Sequence, residues 1–149
     1  YNFGTLGANA VSVSTRAALI TNNGNTILDY TVNVSTWINT GGRSWNIQGD
    51  SLSAGVDAFA LCGMLGDTQP AASGADFDAS DCFDAATAAE NMSASQFVGL
   101  GANTNGDNVD FNQQRKLWFY FRSPTEIFSG NAAEQTVTVT VTANAEGTF

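Results

Sequence analysis

Residues 135–143 read QTVTVTVTA, the clearest strand pattern in the sequence. Valine and threonine alternate through it with a period of two, as in a strand that has one buried face and one wet face. Both residue types are β-branched, and such side chains favour strands. The stretch therefore predicts a strand whose valines point inward and whose threonines point outward.

A second alternating segment, residues 27–36, predicts another strand of this kind. Its expected inner face carries Leu28, Tyr30, Val32 and Val34, and its expected wet face carries Asp29, Thr31, Asn33 and Ser35. The tetrad NNGN at residues 22–25 is typical of a tight turn, because Asn and Gly tolerate positive φ. We therefore predict a hairpin between a strand at residues 17–21 and this segment.

The most apolar run, residues 115–122, holds Leu117, Trp118, Phe119, Tyr120 and Phe121. It predicts a central strand that is buried on both faces, or on one face and against a partner. A further buried strand is expected at residues 56–64, and a short one at 44–48. Residues 66–80 indicate a long loop, and the Ala-rich residues 84–92 a short helical turn.

Short strands separated by turns rich in Gly and Asn predict an all-β sandwich, with a barrel as the alternative. The 149 residues fit one domain, residues 1–149. Within it, residues 1–14 are expected to form an edge strand or a strand exchanged with a neighbouring copy.

The net charge is −9, from 14 acidic and 5 basic residues. Such a chain repels phosphate backbones and anionic lipids, so neither nucleic acid nor a membrane is an expected partner. No segment reaches the ~20 apolar residues of a membrane span. The sequence contains no histidine, which excludes Ser-His-Asp and Cys-His nucleophiles. We therefore predict that the protein is not an enzyme.

The two cysteines, Cys62 and Cys82, are expected to form one disulfide in an exported protein. The bond would contribute about 3 kcal/mol in the chain-entropy model. Two free buried thiols are the alternative. The sequence starts at Tyr1 without Met and holds a single lysine. Both features favour an extracellular or cell-surface protein whose leader has been removed.

Two parts of the chain resemble a known family. NFGTLGA (residues 2–8), LITNNGN (19–25) and YTV (30–32) are similar to the opening strands of bacterial immunoglobulin-like domains. LWFYFRSPT (117–125) followed by residues 135–143 resembles the C-terminal end of secreted bacterial proteins built from one such domain. The resemblance implies an immunoglobulin-like sandwich exported to the cell surface, and it implies no catalytic residue.

Acidic residues suggest two places where calcium, which takes six to eight oxygen ligands, could bind. The first is the series Asp67, Asp76, Asp78, Asp81 and Asp84. The second is residues 103–110, in which Asp107 and Asp110 are the candidate ligands. The favoured alternative for both is solvated turns that cap strands. Asp76 and Asp78 also form a weak candidate pair for glycoside hydrolysis.

Four aromatic residues could form a platform on which a glycan stacks, as in carbohydrate-binding modules. They are Trp37, Trp45, Trp118 and Tyr120. Burial in the core is the favoured alternative, because aromatic side chains supply much of the burial energy of a small domain.

Self-assembly is the leading functional hypothesis, because both end segments, residues 1–14 and 136–142, are uncharged. Uncharged extended segments can add to the sheet edge of a neighbour. The expected interface consists of apolar residues from both ends: Tyr1, Phe3, Leu6, Val11, Val13, Val137, Val139 and Val141. We predict the subunit of a bacterial surface filament, with a carbohydrate- or calcium-binding adhesion module as the alternative. The alternative to self-assembly is that both end segments are ordinary strands of their own domain.

Overall fold

The computed structural model describes residues 1–35, 38–39 (backbone only), 45–49, 51–84, 89–93, 95–128 and 135–147. Within these residues the chain forms ten strands and one 3-10 turn at Ala79–Asp81. The strands are β1 (Val11–Val13), β2 (Ala18–Thr21), β3 (Leu28–Val34), β4 (Ile38–Asn39), β5 (Asn46–Ile47), β6 (Ala58–Leu65), β7 (Glu90–Asn91), β8 (Gln114–Arg122), β9 (Gln135–Thr136) and β10 (Val139–Ala145).

Two sheets pack against each other, which confirms the predicted all-β sandwich. In the first sheet, β8 is central: β1 and β2 both pair with one of its edges, and β6 pairs with the other. β5 extends this sheet beyond β6 as a short parallel strand. The second sheet has the order β10-β3-β7 and is antiparallel throughout. β4 and β9 form a separate two-stranded ladder.

Strand β8 is buried on both faces, as its apolar sequence predicts. Leu117, Phe119 and Phe121 pack into the main core between the sheets. Trp118 and Tyr120 point the other way, into a second cluster that the segment at residues 66–84 covers. That cluster also contains Phe77 and Cys82 from the covering segment. The long loop therefore acts as a third layer on the outer face of the first sheet.

The hairpin predicted at residues 17–36 is wrong. β2 pairs with β8 in the first sheet, whereas β3 pairs with β10 and β7 in the second. The turn at residues 22–25 therefore carries the chain from one sheet to the other. The buried Asn22 side chain secures this crossing, because its Nδ2 donates to the carbonyls of Thr26 and Val109 at 2.8 and 2.9 Å.

The outer face of β3 is less wet than predicted. Asp29 is fully buried and Thr31 is 8% exposed. The backbone N–H of Asn108 donates to Asp29 Oδ1 at 3.0 Å, and Asn144 Nδ2 donates to Thr31 Oγ1 at 3.1 Å. The loop after residue 102 and the Asn144 side chain thus cover half of this face, so water reaches only the end at Asn33 and Ser35.

The described part of residues 84–92 does not form the predicted helical turn. Glu90–Asn91, within the predicted residues 84–92, form a strand that pairs with β3, while residues 85–88 lie outside the described part. The helical turn that the structure describes is Ala79–Asp81, inside the predicted loop. Asp78 and Asp81 cap it reciprocally, since each carboxylate accepts a backbone N–H.

Candidate assembly edges

Strand β10 has one edge without a partner strand among the described residues. The direction of its backbone groups follows from Tyr30, which lies opposite Ala143. The Tyr30 N–H donates to Gly106 at 2.8 Å, and its carbonyl accepts from Met92 at 3.0 Å, so both groups point away from β10. In an antiparallel ladder, two residues that lie opposite each other point their backbone groups in the same manner, so the N–H and C=O of Ala143 also point away from β3. The same holds for every second residue of β10 counted from Ala143. Val139, Val141 and Ala143 therefore present N–H and C=O groups along the outer edge.

The side chains of this edge strand follow the predicted alternation. Val137, Val139 and Val141 face the main core and stay half-buried, while Thr140 and Thr142 are exposed. No charged residue lies between Gln135 and Ala145. Natural proteins protect long edge strands with charge, proline, bulges or covering loops. Across its described residues, β10 carries neither charge nor proline.

The other edge strands are shorter or interrupted. β5 and β7 have two residues each. β1 and β2 pair with the same edge of β8. Val13 and Ala18 are five residues apart, whereas their partners on β8, Tyr120 and Leu117, are three residues apart. The extra residues form a bulge, and buried Ser14 closes it by exchanging hydrogen bonds with the Phe119 backbone at 2.8 and 2.9 Å. A bulge of this kind hinders pairing with another chain.

The N-terminal segment packs on its own sandwich in this structure. Phe3 stacks on Phe121 with ring centroids 5.2 Å apart, and the Tyr1 ring meets Phe3 edge-on at 4.9 Å. The Tyr1 hydroxyl accepts a bond from the Thr15 N–H at 2.9 Å. This bond and the Thr15 hydroxyl hold the pKa of Tyr1 below its usual value. Leu6 is half-buried.

A second set of contacts fixes residues 7–13. The buried Ser123 hydroxyl donates to the Gly7 carbonyl at 2.6 Å and accepts from the Ala10 N–H at 2.8 Å. Val13 is buried in the second cluster, whereas Val11 remains 37% exposed. The structure thus brings Phe3 and the three valines of the C-terminal segment to the main core, and it places Val11 and Val13 on the edge of the first sheet.

The predicted disulfide is confirmed. Cys62 and Cys82 are joined at 2.01 Å, and both are fully buried. Cys62 lies in β6 and Cys82 pairs with it as an isolated bridge. The bond therefore fixes the covering segment to the outer face of the first sheet.

Two acidic residues of the covering segment, Asp76 and Asp78, accept hydrogen bonds from the backbone of their own loop. Asp76 Oδ2 accepts from the Ala71 N–H at 2.6 Å, and Asp78 Oδ1 accepts from the Ser80 N–H at 2.8 Å. The Ser80 hydroxyl and N–H hold the pKa of Asp78 below its usual value. Burial raises the pKa of Asp81 to about 6. Turn capping, the alternative to calcium binding, thus accounts for these contacts.

The second calcium candidate lies in the loop that covers β3. Asp107 Oδ1 accepts from Asn108 Nδ2 at 2.8 Å, and Asp110 is exposed and accepts a backbone bond from Gln113. Within the described residues, no three His, Cys, Asp or Glu side chains form a group that could hold a metal ion. Calcium binding by Asp107 and Asp110 stays a prediction.

The aromatic residues proposed as a glycan platform are packed inward where the structure describes them. Trp118 Nε1 donates to the Gly66 carbonyl at 2.8 Å, and the Tyr120 hydroxyl donates to the Leu52 carbonyl at 3.2 Å. Trp45 is half-buried against the main core. Trp37 lies outside the described residues.

A groove of about 390 Å³ opens at the bulge between β1 and β2. Its walls include Arg16 and Lys116, two of the five basic residues of the chain. Lys116 forms an exposed ion pair with Asp67 at 3.5 Å. This groove cannot be predicted from the sequence, because the residues that line it are distant in the chain. In the sequence, Lys116 is notable only as the single lysine of the chain.

No helix in the described ranges has the length and apolar character needed to cross a membrane. Comparison with known proteins found no matching family model, no matching curated protein and no matching solved structure. The similarity of residues 2–32 and 117–143 to bacterial immunoglobulin-like domains therefore stays a prediction.

Proposed function

We propose that this chain is an extracellular structural protein that assembles into a surface filament by strand pairing between copies. One observation carries the proposal: β10 is a seven-residue, uncharged strand whose outer edge has no partner strand among the described residues. A strand added there would receive regular backbone hydrogen bonds. It would also cover Val139 and Val141, which the sandwich leaves half-exposed.

The disulfide and the low charge content fit this function. A buried disulfide persists in oxidising surroundings such as the cell exterior. Only 13% of the residues are charged, and the stretch from Gln135 to Ala145 carries no charge that would oppose close packing of copies. We propose export on these grounds, together with the immunoglobulin-like resemblance.

The N-terminal segment supplies the second contact of the proposed filament. Residues 1–10 form no regular strand, and they hold the domain through Phe3 and through the bonds of Ser123 to Gly7 and Ala10. A neighbouring copy offers the same sites. If the segment is exchanged, each copy completes the next one, and a head-to-tail contact of this kind builds an open chain.

The experiment is electron microscopy and sedimentation of the purified protein over a wide concentration range. We expect filaments or concentration-dependent oligomers. Ala143→Pro should suppress them, because it removes an outward N–H from the edge and leaves the bonds to β3 intact. Ala143→Val is the matched control, since it keeps that N–H. A protein that stays monomeric at every concentration would contradict the proposal.

A carbohydrate-binding adhesion module is the second candidate, and the groove at the bulge favours it. Arg16 and Lys116 stand in the groove of a chain with net charge −9, so an acidic sugar is the ligand class that fits. Titration calorimetry with acidic and neutral oligosaccharides tests this candidate. Saturable binding that Arg16→Gln abolishes supports it, and heat changes indistinguishable from dilution for all ligands exclude it.

A further inference from the structure

We infer that the outer edge of β10 pairs with β10 of a second copy, antiparallel and about a two-fold axis at Val141. The inference rests on the proposed self-assembly and specifies its partner strand and register. It starts from the seven residues of β10, Val139–Ala145, which run without interruption along an edge that no described strand occupies.

Strand length selects the partner. Among the described strands, β3, β6 and β8 are long, but each already has neighbours on both sides. β1 and β2 have three and four residues and are separated by the bulge, and the remaining edge strands have two. A second copy therefore offers one described, accessible edge that matches β10 in length, and that edge is its own β10.

The distribution of charge also favours β10 of a second copy as the partner strand. Each copy carries a net charge of −9, so two copies repel each other at most approaches. The β10 edge has no charged side chain from Gln135 to Ala145, and the first charge beyond it is Glu146. The β1–β2 edge carries Arg16 instead, at the bulge. Two β10 edges can therefore meet without placing like charges opposite each other along the strand.

The backbone fixes the register. In an antiparallel pair, residues that point their groups outward must face each other to exchange bonds. Four residues of β10 point outward, as their register with β3 shows, namely Val139, Val141, Ala143 and Ala145. Ala145 already has an interaction within its own chain, so the other three are the residues that pair with a second copy. Centring the pair on Val141 places each Val139 opposite the Ala143 of the other copy. Val139, Val141 and Ala143 are then all used, and they exchange about six hydrogen bonds. A shift of two residues leaves one of these three opposite a residue that already has a partner, or beyond the end of the strand, so it gives fewer bonds.

The side chains agree with this register. Val141 meets Val141 of the second copy on the inner face, where both are half-buried, so the two cores become continuous. On the outer face, each exposed Thr140 lies opposite Thr142 of the second copy in a non-hydrogen-bonded pair. Such a contact is closed and makes a dimer. Growth into a filament then uses the N-terminal segment as the separate, open contact.

Disulfide trapping tests the register. Thr140→Cys and Thr142→Cys are prepared separately, with Cys62–Cys82 already oxidised. They are then mixed under mild oxidation. Directly opposite, non-hydrogen-bonded residues lie about 4.5 Å apart at Cα, within the range of a disulfide. We expect the mixture to yield cross-linked dimer at least tenfold faster than either variant alone. Thr138→Cys mixed with Thr142→Cys is the matched control, because its partners are offset by two residues.

The outcomes separate the inference from the proposed function. Faster cross-linking in the control mixture, or of either variant alone, would overturn the register. If Ala143→Pro blocks association but the Thr140/Thr142 mixture does not cross-link, the edge serves another strand, and the inference fails while the proposed function stands. If no variant and no wild-type protein associates, both fail. Thermal unfolding of each variant confirms that the chain is folded before mixing.

Discussion

Phe3 stacks on Phe121 with ring centroids 5.2 Å apart and planes inclined by 27°. Phe121 in turn stacks on Phe59 at 5.5 Å, so the N-terminal segment is connected to the main core through a series of three rings. The first residues of the chain thus complete the sandwich from one side. This contact gives the segment a structural role whether it is made within one copy or between two.

We expect Phe3→Ala to lower the free energy of unfolding by about 1–3 kcal/mol, because a half-buried ring and its stacking are lost. Chemical denaturation measures the change. Tyr1→Ala is the control: Tyr1 is 61% exposed, so its loss should cost less. If the segment is exchanged between copies, the Phe3→Ala effect will also depend on protein concentration. Equal effects of the two substitutions would contradict this packing.

Proline substitutions test the direction of the β10 backbone groups. Thr142→Pro removes an N–H that points toward β3 and should destabilise the protein by about 1–3 kcal/mol. Ala143→Pro removes an outward N–H and should cost much less. Thermal unfolding of the two variants side by side measures the difference. A larger loss for Ala143→Pro would reverse the assignment on which the edge contact depends.

Asp81 makes stability depend on pH in an unusual direction for a carboxylate. Its pKa is about 6 in the folded chain, above the 3.8 of an ordinary aspartate. The folded state therefore holds the proton more tightly than the unfolded state. The stabilisation is complete below about pH 4 and is lost as the pH rises through 6. The loss is on the order of 2 kcal/mol.

Denaturant unfolding at several pH values between 4 and 7 measures this contribution. In Asp81→Asn, the free energy of unfolding should fall less between pH 4 and 7 than it does in the wild-type protein. Asp78→Asn is the informative control, because the pKa of Asp78 is lowered and its contribution is lost as the pH falls instead. An unchanged pH slope in Asp81→Asn would refute the role of the buried carboxyl.

Removing the disulfide should loosen the layer that covers the first sheet. We expect Cys62→Ala combined with Cys82→Ala to cost about 3 kcal/mol, since the constraint on a loop of this size is lost. The main core should persist, because all its buried residues except Phe83 come from outside the covering segment. Thermal unfolding and limited proteolysis measure the two effects. Cleavage that begins outside residues 66–84 would contradict this division.

Gly99 is a position where two segments of backbone meet. A Cβ there would overlap the carbonyl of Leu65, whose backbone N–H and C=O bond to Phe97 and Gly99 at 2.7 Å. We expect Gly99→Ala to lower stability by about 1–3 kcal/mol. Gly7→Ala, which would meet no atom within 4 Å, should be close to neutral. Melting temperatures of the two variants decide the point.

Features that depend on local periodicity and composition could be predicted from the sequence. Alternation at residues 27–36 and 135–143 located β3 and β10 and the inner faces of these strands, because side-chain direction in a strand has a period of two. The sequence predicted a single strand at residues 135–143, whereas the chain divides there into β9 and β10, which pair with different strands. The density of aromatic residues located β8 and its burial on both faces. The presence of two cysteines in a chain expected to be exported predicted the disulfide, which the structure confirms.

Which strands are neighbours could not be predicted from the sequence. The turn at residues 22–25 looks the same whether it closes a hairpin or crosses between sheets, and the partner of β3 proved to be β10, more than a hundred residues away. The burial of Asp29 and the open edge of β10 were likewise invisible in the sequence. Both depend on which distant segment covers a strand, and strand pairing and coverage are set by long-range packing.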